Sequence, residues 1–120
     1  MKHTYRTLLL LALFLCGYSS ARAQLFRSAT SGAWNAIGTW QQSTDGGASW
    51  VPATATPTNA SGAITVRATH TVTVTSTVNL DDVTIEAGGT VTTTTGGTVW
   101  SINNGTFGVR IFGTFNANAG

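Results

Sequence analysis

From residue 62 onward, apolar and polar residues alternate with a period of two. Ile64-Thr65-Val66 and Thr71-Val72-Thr73-Val74-Thr75 place their apolar members at even numbers, whereas Val83, Ile85, Val91 and Val99 fall at odd numbers. Alternation of this kind predicts short strands with one face buried. The parity changes at Asp81-Asp82, which predicts a turn or bulge, because a one-residue slip carries a strand's side chains to the opposite face. Between Leu25 and Pro57 the pattern is less regular, with Leu25-Phe26-Arg27, Trp34, Thr39-Trp40-Gln41-Gln42 and Ser49-Trp50-Val51 as strand candidates. The segment 52–62, rich in Ala, Thr, Pro and Asn, reads as a surface connection between the two textures. No window carries a helical i, i+3, i+4 stripe, so the chain is expected to be all-β.

A short repeat sharpens that expectation. Gly89-Thr90-Val91, Gly97-Thr98-Val99, Gly105-Thr106-Phe107 and Gly113-Thr114-Phe115 recur every eight residues, and Asp81-Asp82-Val83 occupies the preceding slot. If each Gly turns a corner and the residue two places on points inward, the pattern is that of a β-solenoid with two or three units to a rung. An antiparallel meander with tight Gly turns fits the same period. The expected architecture is an all-β, short-stranded β-solenoid, the start of a parallel β-helix, preceded by a Trp-rich β-hairpin cap and a signal peptide. Its divisions are 1–23 for the leader, 24–61 for the cap and 62–120 for the repeats. Gly89, Gly97, Gly105 and Gly113 are the expected corners, and Val91, Val99, Phe107 and Phe115 the expected interior. Because the rhythm is still running at Gly120, the chain reads as part of a longer one.

The leader is read from Lys2 and Arg6, the nine apolar residues Leu8 to Cys16, and Ala21-Arg22-Ala23. A basic start, a short apolar run and an A-x-A site predict export with cleavage after Ala23, and nine apolar residues are too few to span a bilayer. Composition then has to be read on residues 24–120 alone. That stretch holds three arginines (Arg27, Arg67, Arg110) against four acids (Asp45, Asp81, Asp82, Glu86), a net charge of −1. The formal charge of +2 for all 120 residues therefore belongs to the leader. No basic patch remains for nucleic acid. Lys, Tyr and Cys are absent beyond Ala23, which removes disulfides, thiolate nucleophiles and cysteine-ligated metal. Thr occurs 21 times and Gly 13 times in the same stretch, a composition suited to exposed strands and turns.

Candidate chemistry is sparse. Ser43-Thr44-Asp45-Gly46-Gly47-Ala48-Ser49-Trp50 matches the Asp-box pattern S-x-D-x-G-x-T-W, with Ser49 where Thr is usual. Its logic is structural: the carboxylate of Asp45 takes N–H groups across the turn, Gly47 supplies positive φ, and Trp50 packs beneath. Ser43, Asp45, Gly47 and Trp50 are thus expected to form a turn remote from any chemistry. His70 is read as a turn-side residue capping backbone groups. Asp81, Asp82 and Glu86 form the acidic cluster and are weak candidates for Ca²⁺, which wants six to eight oxygens; no metal site and no cofactor are otherwise expected. Trp34, Trp40, Trp50 and Trp100 are candidate carbohydrate-stacking residues, set against a role in core and caps. Thr71, Thr73 and Thr75, with Thr92 to Thr95 following, form an exposed ladder of the kind that can bind ice on a solenoid, although Thr is also simply a good exposed-strand residue.

The wider order of residues carries a resemblance. Gly32-Ala33-Trp34, Thr39-Trp40, Pro52 or Pro57, Ile64-Thr65-Val66, His70-Thr71-Val72-Thr73-Val74, Leu80, Val83-Thr84-Ile85 and Gly88-Gly89-Thr90-Val91 follow one another. This resembles the N-terminal region of large secreted surface proteins of gliding bacteria, which begin a parallel β-helix after their signal peptide and end in a sorting domain for type IX secretion. It is also similar to the G8 domain. The sequence departs from the bacterial pattern at Ala68-Thr69, where a Gly normally precedes the His. The resemblance implies a secreted or cell-surface protein of structural or adhesin type without catalysis. A carbohydrate-binding module contacting polysaccharide or cell-surface glycans is the alternative, and the start of a polysaccharide-active solenoid enzyme the third.

Overall fold

The computed structural model describes residues 22–94, 100–102 and 105–118. Residues 1–21 of the expected leader, the corner Gly97 and the interior Val99 lie outside them. The described residues form short strands with one 3-10 turn, Ile37–Thr39, and no α-helix. The strands are β1 Leu25–Ser28, β2 Gly32–Ala33, β3 Trp40–Ser43, β4 Val51–Pro52, β5 Ile64–Val66, β6 Thr71–Val74, β7 Val78–Leu80, β8 Val83–Ile85, β9 Thr90–Thr93, β10 Trp100–Ile102, β11 Val109–Ile111 and β12 Thr114–Ala117. The all-β expectation therefore holds.

Three sheets organise these strands, in the orders β11-β8-β5-β1-β3-β4, β12-β9-β6-β2 and β10-β7. Antiparallel pairing joins β1 to β3 and β3 to β4, while the ladders among β5 to β12 are parallel. Phe26 pairs with Ile64, Ile64 with Val83 and Val83 with Val109, so one interior column runs along the first sheet. Val72, Val91 and Phe115 form a second column. The Trp-rich section and the regular section share the first sheet, because β1 pairs with both β3 and β5.

Alternation decides which side chains fill the space between the sheets. Ile64, Val66, Val72, Val74 and Leu80 are buried at even numbers, and Val83, Ile85 and Val91 at odd ones. The switch occurs across Asp81-Asp82, the corner between β7 and β8. Trp34 and Trp40 complete this core, their rings meeting edge to face with centroids 4.8 Å apart. Trp34 also approaches Trp100 at 5.6 Å, and Trp100 approaches Phe115 at 4.9 Å, which extends the aromatic contact toward β12.

The eight-residue rhythm is only partly reflected in the pairing. Thr90 pairs with Thr114, three repeat units on, so Gly113 comes to lie over Gly89. The preceding step is shorter, since Val72 pairs with Val91, nineteen residues on. Phe107 is a correction to the expected interior: its side chain is 61% exposed, and Val109 takes the place beside Val83. Two extra residues push Phe107 out of line, Gly108 adopts φ +65°, and Arg110 stacks over the Phe107 ring at 4.0 Å. The described corner glycines are required by space and not by a left-handed conformation. Gly89, Gly105 and Gly113 do not have positive φ; their backbone instead runs so close to its neighbour that a Cβ has no space. A Cβ on Gly89 would lie 2.9 Å from the Arg67 carbonyl oxygen, and one on Gly105 2.8 Å from the Asp81 carbonyl carbon.

Thr69 occupies the left-handed region at φ +69°, the position where the bacterial pattern carries Gly. A β-branched residue is poorly suited to that conformation. Thr69→Gly is therefore expected to raise stability by about 1 kcal/mol, the relief of backbone strain exceeding the entropic cost of Gly. Urea unfolding of the two chains checks it. The same measurement separates interior from exterior: Leu80→Ala, at a wholly buried position, should cost about 2–5 kcal/mol. Phe107→Ala should cost within about 1 kcal/mol, because the ring is largely in water already.

Candidate functional site

A cleft forms where two polar segments meet the start of β7. Residues 56–59 come from the connection after β4, residues 76 and 77 from the corner between β6 and β7, and residues 78 and 79 from β7 itself. With Trp34 and Asn35 they enclose a cleft of about 300 Å³. Trp34 and Pro57 are buried and give the cleft its apolar part; the indole Nε1 of Trp34 donates to the Pro57 carbonyl at 3.4 Å and ties the loop down. Asn35, Asn59 and Asn79 present exposed amides, and Thr56, Ser76 and Thr77 present hydroxyls. No lining residue is ionisable. Such a lining can exchange hydrogen bonds with a neutral hydroxyl-rich ligand, but it holds no group able to carry a proton through a reaction.

The sequence offered no signal for this cleft. Its parts are ordinary loop residues some twenty positions apart, brought together because the chain returns past the same point. Of the tryptophans singled out in the sequence, Trp34 borders the cleft and Trp40, Trp50 and Trp100 do not. Trp34 and Trp40 are buried, at 2% and 1% exposure, which corrects their candidacy as stacking surfaces for sugar. The Trp40 Nε1 donates to the Trp34 carbonyl at 2.8 Å, an interior partner. Trp50 is half-buried beneath the guanidinium of Arg27, 4.4 Å from its ring centre, and Arg27 is itself held by Gln41 at 2.9 Å. Trp100 is half-buried between Trp34 and Phe115. The four do not form a row.

Residues 43–50 close the turn between β3 and β4 in the manner of an Asp-box. Asp45 Oδ1 accepts from the Ser43 hydroxyl at 2.7 Å and from the Ser49 N–H at 2.9 Å, and Oδ2 accepts from the Ser49 hydroxyl. The Ser43 oxygen in turn accepts the Gly47 N–H at 2.9 Å. Gly46 and Gly47 take φ +75° and +92°, which only Gly adopts at little cost. The Ser49 hydroxyl, then the Ser49 N–H, then the Ser43 hydroxyl hold the Asp45 carboxyl well below its ordinary value.

The acidic cluster is not assembled into a metal site. Asp82 accepts from the N–H groups of Phe107 at 2.7 Å, Gly108 at 3.1 Å and Thr106 at 3.3 Å, clamping the two-residue insertion. The Phe107 N–H is the main reason its carboxyl is lowered. Glu86 caps a different corner, accepting the Ala68 N–H at 3.1 Å. Asp81 Oδ1 is buried with no partner among the described residues. No group of three metal-ligating side chains comes together among the described residues, which corrects the Ca²⁺ candidacy of Asp81, Asp82 and Glu86.

His70 Nδ1 lies 2.8 Å from the Ser28 hydroxyl, a hydroxyl–imidazole pair of the kind found in nucleophilic sites. Ser28 is wholly buried, however, and its oxygen also accepts the Arg67 N–H at 2.9 Å. The pair is a tie between β1 and the corner after β5, with the Ser28 hydroxyl shut off from solvent.

Asp45 makes the turn acid-sensitive in a defined direction. Its pKa is lower in the folded chain than the ordinary 3.8. Its contribution to stability is therefore fully present above that value and is lost as pH falls through the folded one. Asp45→Asn should lower stability at neutral pH and flatten the acid limb of a thermal-melting series between pH 5 and pH 2, as expected for loss of a depressed carboxylate.

No family model, no curated protein and no solved structure matches this chain.

Proposed function

We propose that this chain is the capped start of a parallel β-solenoid, exported to the cell surface or medium, where it serves as a stalk or adhesin scaffold and not as an enzyme. The observation that carries the reading is the register of the parallel ladders. Phe26, Ile64, Val83 and Val109 stack in one column and Val72, Val91 and Phe115 in another, with inward residues above inward residues. The chain visits the three sheets in the same cyclic order after β4. At one side the antiparallel hairpin β3–β4 occupies the sheet edge, a common device for blunting open strands.

The use of titratable side chains supports a non-catalytic role. Asp45, Asp82, Glu86 and His70 are each bound into a turn or corner, as described above. Contact with polysaccharide is the second reading, and the neutral amide- and hydroxyl-lined cleft beside Trp34 favours it over the tryptophan faces.

The test is expression of the full chain with its own N-terminal segment. Material recovered outside the cell should begin at Gln24 by intact mass, and a panel of neutral and acidic glycans should remain uncleaved. Thr65→Cys with Thr84→Cys, neighbours across the β5–β8 ladder, should be joined by a short dihaloalkane-type reagent, each thiolate displacing one halide. Cytoplasmic retention would overturn export. Glycan turnover abolished by His70→Ala would overturn the scaffold reading, and failure of the thiol pair to join would overturn the solenoid.

A further inference from the structure

The outward face of the sheet β2-β6-β9-β12 carries a regular array. Thr71, Thr90 and Thr114 are consecutive partners across the ladder, and Thr73, Thr92 and Asn116 form the column beside them. Ala33 extends the second column past Thr73. Five of these seven positions are threonine, and none is charged. The spacing follows from strand geometry: about 4.8 Å along each column and about 6.6 Å between columns. None of the five threonine side chains hydrogen-bonds to another described residue. The first sheet provides the contrast within the same molecule. Its outward column runs Arg27, Thr65, Thr84, Arg110, so only two threonines stand together and a guanidinium group flanks each.

We infer that this threonine face binds ice. Branching at Cβ restricts χ1, so the hydroxyls and methyls of each column repeat the same orientation with little rotamer freedom left to lose. A single threonine gains almost nothing by exchanging one liquid water for another. A rigid array with a fixed two-dimensional repeat differs, because a crystalline partner with a comparable repeat meets all its groups at once, and the ordering cost is already met on both sides. The methyl groups between the hydroxyls supply apolar surface that excludes liquid water from the contact. The same features argue against other ligands. The face lacks the concavity and aromatic surface that hold a sugar ring, and it lacks the charge that would draw a polyion. The inference needs only the strand registers and stands apart from the proposed scaffold role.

Ice-crystal shaping and inhibition of recrystallisation by the purified full chain test it, with Thr92→Lys at the centre of the array and Thr84→Lys on the other sheet as control. The unsubstituted chain should facet ice, Thr92→Lys should need a roughly tenfold higher concentration for the same effect, equivalent to about 1.4 kcal/mol, and Thr84→Lys should match the parent. Melting curves verify that each variant is folded. If Thr92→Lys lowers the melting temperature, Thr71→Lys at the exposed margin of the array carries the same expectation. A folded parent chain that leaves ice growth unchanged overturns the inference. So does equal loss in Thr92→Lys and Thr84→Lys, or retention on insoluble polysaccharide without any effect on ice, which would reassign the face to a saccharide.

Discussion

Successive passes of the chain approach so closely at their corners that Gly89, Gly105 and Gly113 have no room for a Cβ. The rest of the structure depends on this approach. It lets the backbone of one pass bond to that of the next, as where Thr114 N–H meets the Gly89 carbonyl at 2.9 Å and Thr90 N–H the His70 carbonyl at 2.9 Å. Only with the corners in contact do the short strands, mostly three or four residues each, fall into register. Strands that short bury too little to persist alone; their stability is collective.

Register then decides what each side chain can do. Inward positions stack into apolar columns that close on Trp34 and Trp40, and outward positions stack into polar columns. Polar side chains at the corners have a different task, because turning backbone leaves N–H groups without ladder partners. Asp82, Glu86, Asp45 and Ser28 fill that need. The few charged residues of a charge-poor chain are thus largely consumed in holding turns. This is why no group of three metal-ligating side chains comes together among the described residues.

Much of this was legible in the residues. Period-two alternation located the buried set Ile64, Val66, Val72, Val74, Val83, Ile85 and Val91, and the parity change placed the corner at Asp81-Asp82. The Asp-box spacing located the β3–β4 turn, since all its contacts lie within a few residues. The candidate site was not legible. Asn35, Thr56 and Asn79 carry no motif, and they converge with Asn59 only because of where the chain turns back.

The sequence by itself determined the strand class, the inward face of most strands and the local turn chemistry, because those depend on side-chain alternation and on contacts between near neighbours. Tertiary structure alone decided the exceptions. Phe107 obeys the eight-residue rhythm yet lies outside, because two inserted residues and the Asp82 clamp put Val109 beside Val83. Trp34 and Trp40 could have faced water or the interior on pattern alone; the enclosure of the three sheets put them inside. Whether Thr71 stands beside Thr90 or beside some other residue is likewise a matter of how many residues each pass consumes. That number is set by corner packing between distant segments, which no local pattern encodes.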